Sequence, residues 1–164
     1  MKEHYYLEPL PEEIQDFLVA DTDDPLIHPQ DAITENKEEL KQIYNTLCQM
    51  GKIVVYYNGK IAVLVSRKTS FLGSVDTKVG KDTGARDVIR GYKSFVEWAK
   101  TNTFYYKLET RTPLEKFAKT MAKSVPGAKL EGVCEKSYMT KEGKLMDEYI
   151  VGFKLKEVDE LCQS

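Results

Sequence analysis

Residues 52–66, KIVVYYNGKIAVLVS, carry the strongest local signal in the sequence. Two runs rich in β-branched and aromatic residues, Ile53–Tyr57 and Ile61–Val65, flank the dipeptide Asn58-Gly59. Because Asn-Gly tolerates the positive φ angles of a type I′ turn, the stretch predicts a tight antiparallel β-hairpin. Both runs are apolar at successive positions, which indicates strands that are covered on both faces of a sheet.

Strand and helix patterns alternate on either side of this hairpin. We expect the order β-α-α-β-β-β-α-β-α-β-β, with segments at 5–7, 12–20, 37–50, 53–57, 61–65, 70–77, 85–100, 104–110, 112–125, 130–139 and 146–155. Asn36 is a plausible N-cap for the second helix. The tetrapeptide 112–115, TPLE, matches a capping box with proline at the first helical position of the fourth helix.

Composition bounds the class of protein. The chain has 164 residues, 41% hydrophobic and 30% charged, which suits one domain with a single core. Its 24 Lys and Arg against 26 Asp and Glu give a net charge of −2, which argues against a nucleic-acid binder. No apolar run approaches the roughly 20 residues of a membrane span, and no signal-peptide pattern is present. We therefore expect a soluble, cytoplasmic protein without nucleic-acid or membrane partners.

Cysteine and histidine spacing gives no sign of a metal site. Cys48, Cys134 and Cys162 form no CxxC pair, and their roles cannot be assigned from the sequence. His4 and His28 have no partner at ligand spacing. Neither a disulfide framework nor a bound metal is predicted.

A glycine-bearing loop, residues 79–86 (VGKDTGAR), leads from a predicted strand into a predicted helix. Glycines let backbone amides approach a diphosphate, and the helix N-terminus adds a partial positive charge. Gly80 and Gly84 would also fit a plain turn between a strand and a helix, so both interpretations stay open.

The element order and the position of this loop resemble the GNAT superfamily of acyl-CoA-dependent N-acyltransferases. The C-terminal part is most similar to the ribosomal-protein acetyltransferase branch, on the segments 112–113 (TP), 127–132 (GAKLEG), 141–143 (KEG) and 147–149 (DEY). Residues 81–89 also resemble small GNAT-like proteins of tailed phages. The resemblance implies a single GNAT-like α/β (α+β) domain over residues 1–164. Its mixed, mostly antiparallel sheet would have six to seven strands flanked by about four helices.

The resemblance also implies acetyl-CoA as the cofactor. The family's loop runs Gln/Arg-x-x-Gly-x-Gly/Ala, and this chain has Lys81-x-x-Gly84-x-Arg86. Lys81, Gly84, Ala85 and Arg86 are therefore the expected binding residues. Arg86 stands where the family has a small residue, so it would either crowd the pyrophosphate or pair with it.

Amide formation from an acyl thioester needs a general base, because only a neutral amine attacks. In the family the base is usually a carboxylate on the fourth or fifth strand, which implies Asp76 and Glu109 as catalytic residues. Many members carry a tyrosine acid in the following helix, where this chain has Phe117 and no tyrosine. Tyr138 and Tyr149 are alternative acids; otherwise the thiolate leaves unaided, since its thiol has a pKa of about 8.5.

The resemblance places the loop between the first two helices on the acceptor side. There Asp23, Asp24, His28 and Asp31 would select a cationic amine, or they form a hydrated surface loop. Two functions follow. The first is an acyl-CoA-dependent N-acyltransferase that acylates an amine. The alternative, suggested by Arg86 and the missing tyrosine, is a catalytically inactive GNAT-fold structural protein. Such a protein would be a phage virion component held by protein partners or by its own copies.

Overall fold

The computed structural model describes residues 2–4, 8–20, 36–140 and 142–157. The elements are β1 (Lys2–His4), α1 (Glu12–Val19), α2 (Lys37–Gln49), β2 (Ile53–Tyr57), β3 (Ile61–Arg67), β4 (Leu72–Val79), α3 (Ala85–Asn102), β5 (Lys107–Thr112), α4 (Glu115–Ser124), β6 (Ala128–Met139) and β7 (Leu145–Lys154). The predicted order is confirmed. The first strand lies ahead of residues 5–7, which fall outside the described residues. The acidic segment with Asp23, Asp24, His28 and Asp31 also falls outside them, as does Cys162.

The strands form one sheet in the order β1-β2-β3-β4-β5-β7-β6. All neighbouring pairs are antiparallel except β4 and β5, which are parallel. The parallel pair follows from α3, because parallel neighbours need a crossover connection. The expected mixed, mostly antiparallel sheet with four helices is confirmed.

The hairpin of β2 and β3 forms as predicted, but its turn is displaced by one residue. The strand register makes Gly59 and Lys60 the two central residues. Gly59 has a φ of +88°, whereas Lys60 is not among the residues with positive φ. A type I′ turn needs positive φ at both positions, so that prediction is wrong, and the glycine in first place is typical of type II′. Asn58 contributes its side chain instead: its Oδ1 accepts from the amides of Lys60 and Ile61, each at 2.9 Å.

Side chains of β2 and β3 alternate between two cores. Tyr56, Ile61 and Val63 are buried with residues of α3 and α4 on one face. Val55 and Ala62 are buried with residues of α1 and α2 on the other. Both faces of the hairpin are therefore covered, as the continuous apolar runs predicted. The core under α1 and α2 takes its strand residues from β2 and β3, which leaves polar side chains of β4, β5 and β7 on that face.

One predicted helix cap is confirmed and another is wrong. Asn36 Oδ1 accepts from two amides in the first turn of α2. The capping box at residues 112–115 does not form, because Thr112 pairs with Tyr149 as the last residue of β5. The helix α4 begins at Glu115, with Leu114 as its N-cap and no side-chain cap.

Within the described ranges, none of the helices combines the length and apolar character that crossing a membrane requires. The same part of the chain brings no three His, Cys, Asp or Glu side chains together as a metal site. Cys48 and Cys134 are free thiols. Burial raises the pKa of Cys48 to about 12, so this thiol is a packing residue.

Candidate active site

The strands β4 and β5 separate partway along the sheet. Four residues of each strand pair in parallel, and the pairing ends at Val75 and Thr110. Beyond that pair, β4 continues along β3 to Val79, whereas β5 continues along β7 to Thr112. The separation opens a slot that belongs to a cleft of about 850 Å³. The structure thus has a splayed strand pair within its sheet.

The cleft has two distinct ends. One end reaches the N-terminus of α3, where Thr83 and Ala85 line it. The other end is bounded by the β6–β7 hairpin, through residues 137–139 and Glu148. Between them lie the open portions of β4 and β5 and the inner faces of α3 and α4. A long molecule would therefore run along the slot from helix to hairpin.

The backbone of β4 faces the slot with its own polar groups. The amide of Gly80 donates to Lys60 O on the β3 side at 2.8 Å. Because backbone groups alternate along a strand, the N–H and C=O of Thr77 and Val79 point to the opposite side, into the slot. They offer a strand edge to which an extended chain can pair.

The N-terminus of α3 presents an open backbone surface. The amides of Asp87 and Val88 donate to Gly84 O at 3.0 and 3.1 Å, so those of Ala85 and Arg86 precede the first helical bond. Gly84 has φ −79° and ψ 163°, which any residue adopts. A Cβ at Gly84 would meet nothing within 4 Å. The fold does not require glycine at this position, and the space above it is open.

The neighbouring loop residues have different roles. A Cβ at Gly80 would lie 3.0 Å from Lys60 O and from a ring atom of Phe17, so this glycine is required by packing. The side chains of Lys81 and Arg86 are exposed. Of the four expected binding residues, only Ala85 lines the cleft; Lys81, Gly84 and Arg86 lie beside it at the start of α3.

Asp76 lines the cleft directly after the last paired residue of β4. Its side chain is exposed to the water of the cleft. The cleft walls around it remove part of the solvent, and this partial desolvation raises the pKa of its carboxyl. Its charge also acts on Tyr44 of α2, whose pKa is raised by burial and then by Asp76. A carboxylate with a raised pKa that faces a cleft is suited to accept a proton.

Glu109 lies on the same face of the sheet but is held by cations. Its Oε1 lies 2.6 Å from Lys68 Nζ and 3.4 Å from Arg111 Nε, and 13% of its side chain is exposed. Burial acts to raise the pKa of Glu109, but Lys68 and then Arg111 outweigh it and lower this pKa. Glu109 does not line the cleft. The two carboxylates expected at the site therefore differ: Asp76 faces the cleft and Glu109 is an ion-paired anion.

The tyrosines near the site also differ in whether they line the cleft. Tyr138 lines the cleft from the β6–β7 hairpin, whereas Tyr149 does not. Tyr92 of α3, which is not among the expected site residues, also lines the cleft and is 1% exposed. Its hydroxyl shares a hydrogen bond with Thr77 Oγ1, and burial raises its pKa to about 12. The ring of Tyr92 packs edge-on against the ring of Phe117, so a tyrosine of α3 lies next to the aromatic residue of α4.

No protein-family model and no curated protein sequence matches the chain. Solved structures do match. An acetyltransferase of the GNAT family from Streptococcus pneumoniae has 16% identity and a TM-score of 0.58, covering 86% of this chain and 89% of that one. A ribosomal-protein-alanine N-acetyltransferase from Brucella melitensis has 13% identity and a TM-score of 0.69, covering 90% and 98%. A spermidine N-acetyltransferase mutant from Vibrio cholerae has 12% identity and a TM-score of 0.71, covering 90% and 92%.

These structures include the ribosomal-protein branch that the C-terminal segments resemble. They give no support to the expected resemblance to phage proteins. At such low identity they establish the architecture, and their acceptors differ from one another. The chain has the fold of the GNAT-family acetyltransferases.

Proposed function

We propose that this protein is an acyl-CoA-dependent N-acyltransferase that transfers an acetyl group to an amine. The observation that carries the proposal is the open slot between β4 and β5. It leads from the exposed N-terminus of α3 to the carboxylate of Asp76. A donor with a diphosphate at one end and a thioester at the other fits that arrangement.

The donor would be held mostly by backbone. The first amides of α3, at Ala85 and Arg86, would bind the diphosphate, and the open space above Gly84 admits it. The exposed cations of Lys81 and Arg86 would add charge-assisted contacts. The strand edge of β4 in the slot would pair with the amides of the pantetheine chain. When bound, acetyl-CoA supplies an activated acyl group as its thioester.

Asp76 is the proposed general base. An ammonium acceptor must lose a proton before its nitrogen attacks, and Asp76 would take that proton directly or through a water molecule. Burial brings its pKa closer to neutral pH, whereas the cations beside Glu109 move the pKa of that residue away from it. Tyr138 is the proposed acid of the hairpin pair, because Tyr149 lies outside the cleft.

The competing hypothesis, an inactive structural protein, depends on two sequence features. The first, Arg86, loses weight because its side chain is exposed and does not line the cleft. The second keeps its weight, since α4 presents Phe117 and Met121 to the cleft and no tyrosine. A turnover experiment separates the two hypotheses.

The test is release of the CoA thiol from acetyl-CoA in the presence of a panel of amines. We expect amine-dependent release, and the change Asp76→Asn should lower kcat by about 100-fold or more, the usual contribution of a general base. The matched variant Glu109→Gln should lower kcat much less. Absence of amine-dependent release, in protein that still binds acetyl-CoA, would favour the inactive structural protein.

A further inference from the structure

We call the end of the cleft beside the β6–β7 hairpin the acceptor end, because the donor would enter from α3; it contains a cation that the proposed function leaves unused. Arg111 comes directly after Thr110, where β5 separates from β4; we call this point the fork. Arg111 lines the cleft, and 43% of its side chain is exposed. Ser74 pairs with Glu109 across the parallel strands. Because side chains two residues apart share a face, Asp76 and Arg111 lie on that same face, one on each side of the fork. A carboxylate and a guanidinium thus flank the opening of the slot.

The guanidinium of Arg111 is only partly neutralised. Glu109 is shared between two cations, and its close contact is with Lys68, at 2.6 Å against 3.4 Å to Arg111. The second contact of Arg111 is from Nη1 to the sulfur of Cys134 at 3.8 Å, and a thiol is a weak acceptor. Two cations around one anion leave a net positive charge, which Arg111 presents to the cleft.

A second carboxylate lies in the cleft wall. Glu148 lines the cleft on β7, and its Oε1 accepts from Ser137 Oγ at 2.8 Å. The acceptor end therefore combines two carboxylates with one guanidinium. An acceptor that carries positive charge alone would meet attraction from the carboxylates and repulsion from Arg111.

We propose, on the basis of the proposed function, that the acceptor is a free amino acid, with Arg111 binding its carboxylate and Asp76 facing its amino group. Arginine suits this role because the paired N–H donors of its planar guanidinium match the two oxygens of a carboxylate. The amino group then lies at the mouth of the slot, where the thioester would end. In the transfer, the nitrogen forms a bond to the acyl carbon, the carbon–sulfur bond breaks, the amine proton goes to Asp76, and the thiolate takes up a proton.

The test compares acceptors with and without a carboxylate, and lysine, lysine amide and cadaverine differ only in that group. Transfer from acetyl-CoA is measured for the twenty amino acids, for lysine amide, for cadaverine (lysine without its carboxylate) and for spermidine. We expect an amino acid to be preferred over its amide or decarboxylated partner by about 10- to 100-fold in kcat/KM, the usual value of a hydrogen bond to a charged group.

The variant Arg111→Gln should remove this preference by raising KM for the amino acid, with KM for acetyl-CoA unchanged. Arg111→Lys keeps the positive charge but loses the paired donors of the guanidinium, so it should retain part of the preference. Arg90→Gln, an exposed arginine on α3, is the matched control and should behave as wild type.

Equal or better transfer to cadaverine, lysine amide or spermidine would overturn the proposal, as would an unchanged preference in Arg111→Gln. Absence of transfer to every amino acid, with acetyl-CoA binding intact, would also overturn it and leave the donor site standing. Absence of acetyl-CoA binding would instead contradict the proposed function itself.

Discussion

The hydroxyl of Thr110 donates a buried hydrogen bond of 3.1 Å to the carbonyl oxygen of Val75, and these two residues are the last pair of the β4–β5 ladder. In a continuous sheet, the Val75 carbonyl would accept from a backbone amide of β5. Here the hydroxyl of the Thr110 side chain takes the place of that amide. The bond marks the point at which Asp76 and Arg111 diverge. It satisfies a polar group where the ladder ends, so the slot opens without leaving that carbonyl unpaired.

Replacing Thr110 with valine tests this account of the fork. The side chain keeps its shape, but the Val75 carbonyl and the Tyr92 hydroxyl both lose the Thr110 hydroxyl as a partner in a buried place. We expect Thr110→Val to lower the free energy of unfolding by about 1–3 kcal/mol, the cost of an unsatisfied buried group, in urea denaturation. Thr110→Ser keeps the hydroxyl and should lose less. Equal stability of Thr110→Val and wild type would show that the bond does not support the fork.

A bulky residue at position 84 tests the diphosphate site. A Cβ at Gly84 meets no protein atom within 4 Å, so we expect Gly84→Trp to fold normally and to melt within a few degrees of wild type. The indole would fill the open space above the first amides of α3 and abolish the rise in melting temperature caused by acetyl-CoA. The control is Gly132→Trp on β6, where a Cβ meets only Ile150 at 4.0 Å. Full ligand stabilisation in Gly84→Trp would place the diphosphate elsewhere.

The pH dependence of stability tests the environment of Asp76. Burial raises the folded-state pKa of Asp76, so the folded protein binds this proton more tightly than the unfolded chain does. The stability that this proton contributes is complete below the unfolded pKa and is lost as pH rises through the folded pKa. Asp76→Asn should therefore melt above wild type near pH 7, and the difference should vanish near pH 3, roughly where the unfolded carboxyl protonates. A lower melting temperature for Asp76→Asn near pH 7 would show that the walls of the cleft do not raise the pKa of Asp76.

The ion pair of Lys68 and Glu109 predicts the opposite dependence of stability on pH from that of Asp76. The pKa of Glu109 is lowered in the folded state, so its stabilisation is present above the unfolded pKa and is lost as pH falls through the folded pKa. Lys68→Met should cost about 1 kcal/mol at neutral pH, as for a favourable ion pair near a surface. The cost should disappear in acid, and the double variant with Glu109→Gln should recover stability. A cost that persists unchanged in acid would mean that Lys68 stabilises through packing alone.

Elements that depend on local patterns are predictable from this sequence. The cap at Asn36 and the hairpin of β2 and β3 use residues within a few positions of one another. The errors occur where distant pairing decides. Asn58-Gly59-Lys60 fits two turn registers, and only the pairing of the strands selects Gly59 and Lys60 as the centre. Thr112 has the sequence of a helix cap, but pairing with β7 makes it part of β5.

The candidate site shows the same division. Asp76 lines the cleft because its position on β4 fixes its face, whereas its role as a base stays a prediction. The sequence could not reveal that Lys68, 41 residues away, pairs with Glu109. The position of Tyr92 along α3 indicates which face of the helix carries its ring but not where its hydroxyl lies, so its place in the cleft wall is not predictable from the sequence. Arg111 carries no local signal at all, because its importance comes from the strand that diverges beside it.

Calorimetric titration with acetyl-CoA measures whether the slot between the N-terminus of α3 and Asp76 binds an acyl-CoA. For the wild-type protein we expect saturable binding of one acetyl-CoA per chain at micromolar concentrations, and for Gly84→Trp we expect no binding. No heat of binding at millimolar acetyl-CoA, from protein that is folded by its melting curve, would rule out this donor site.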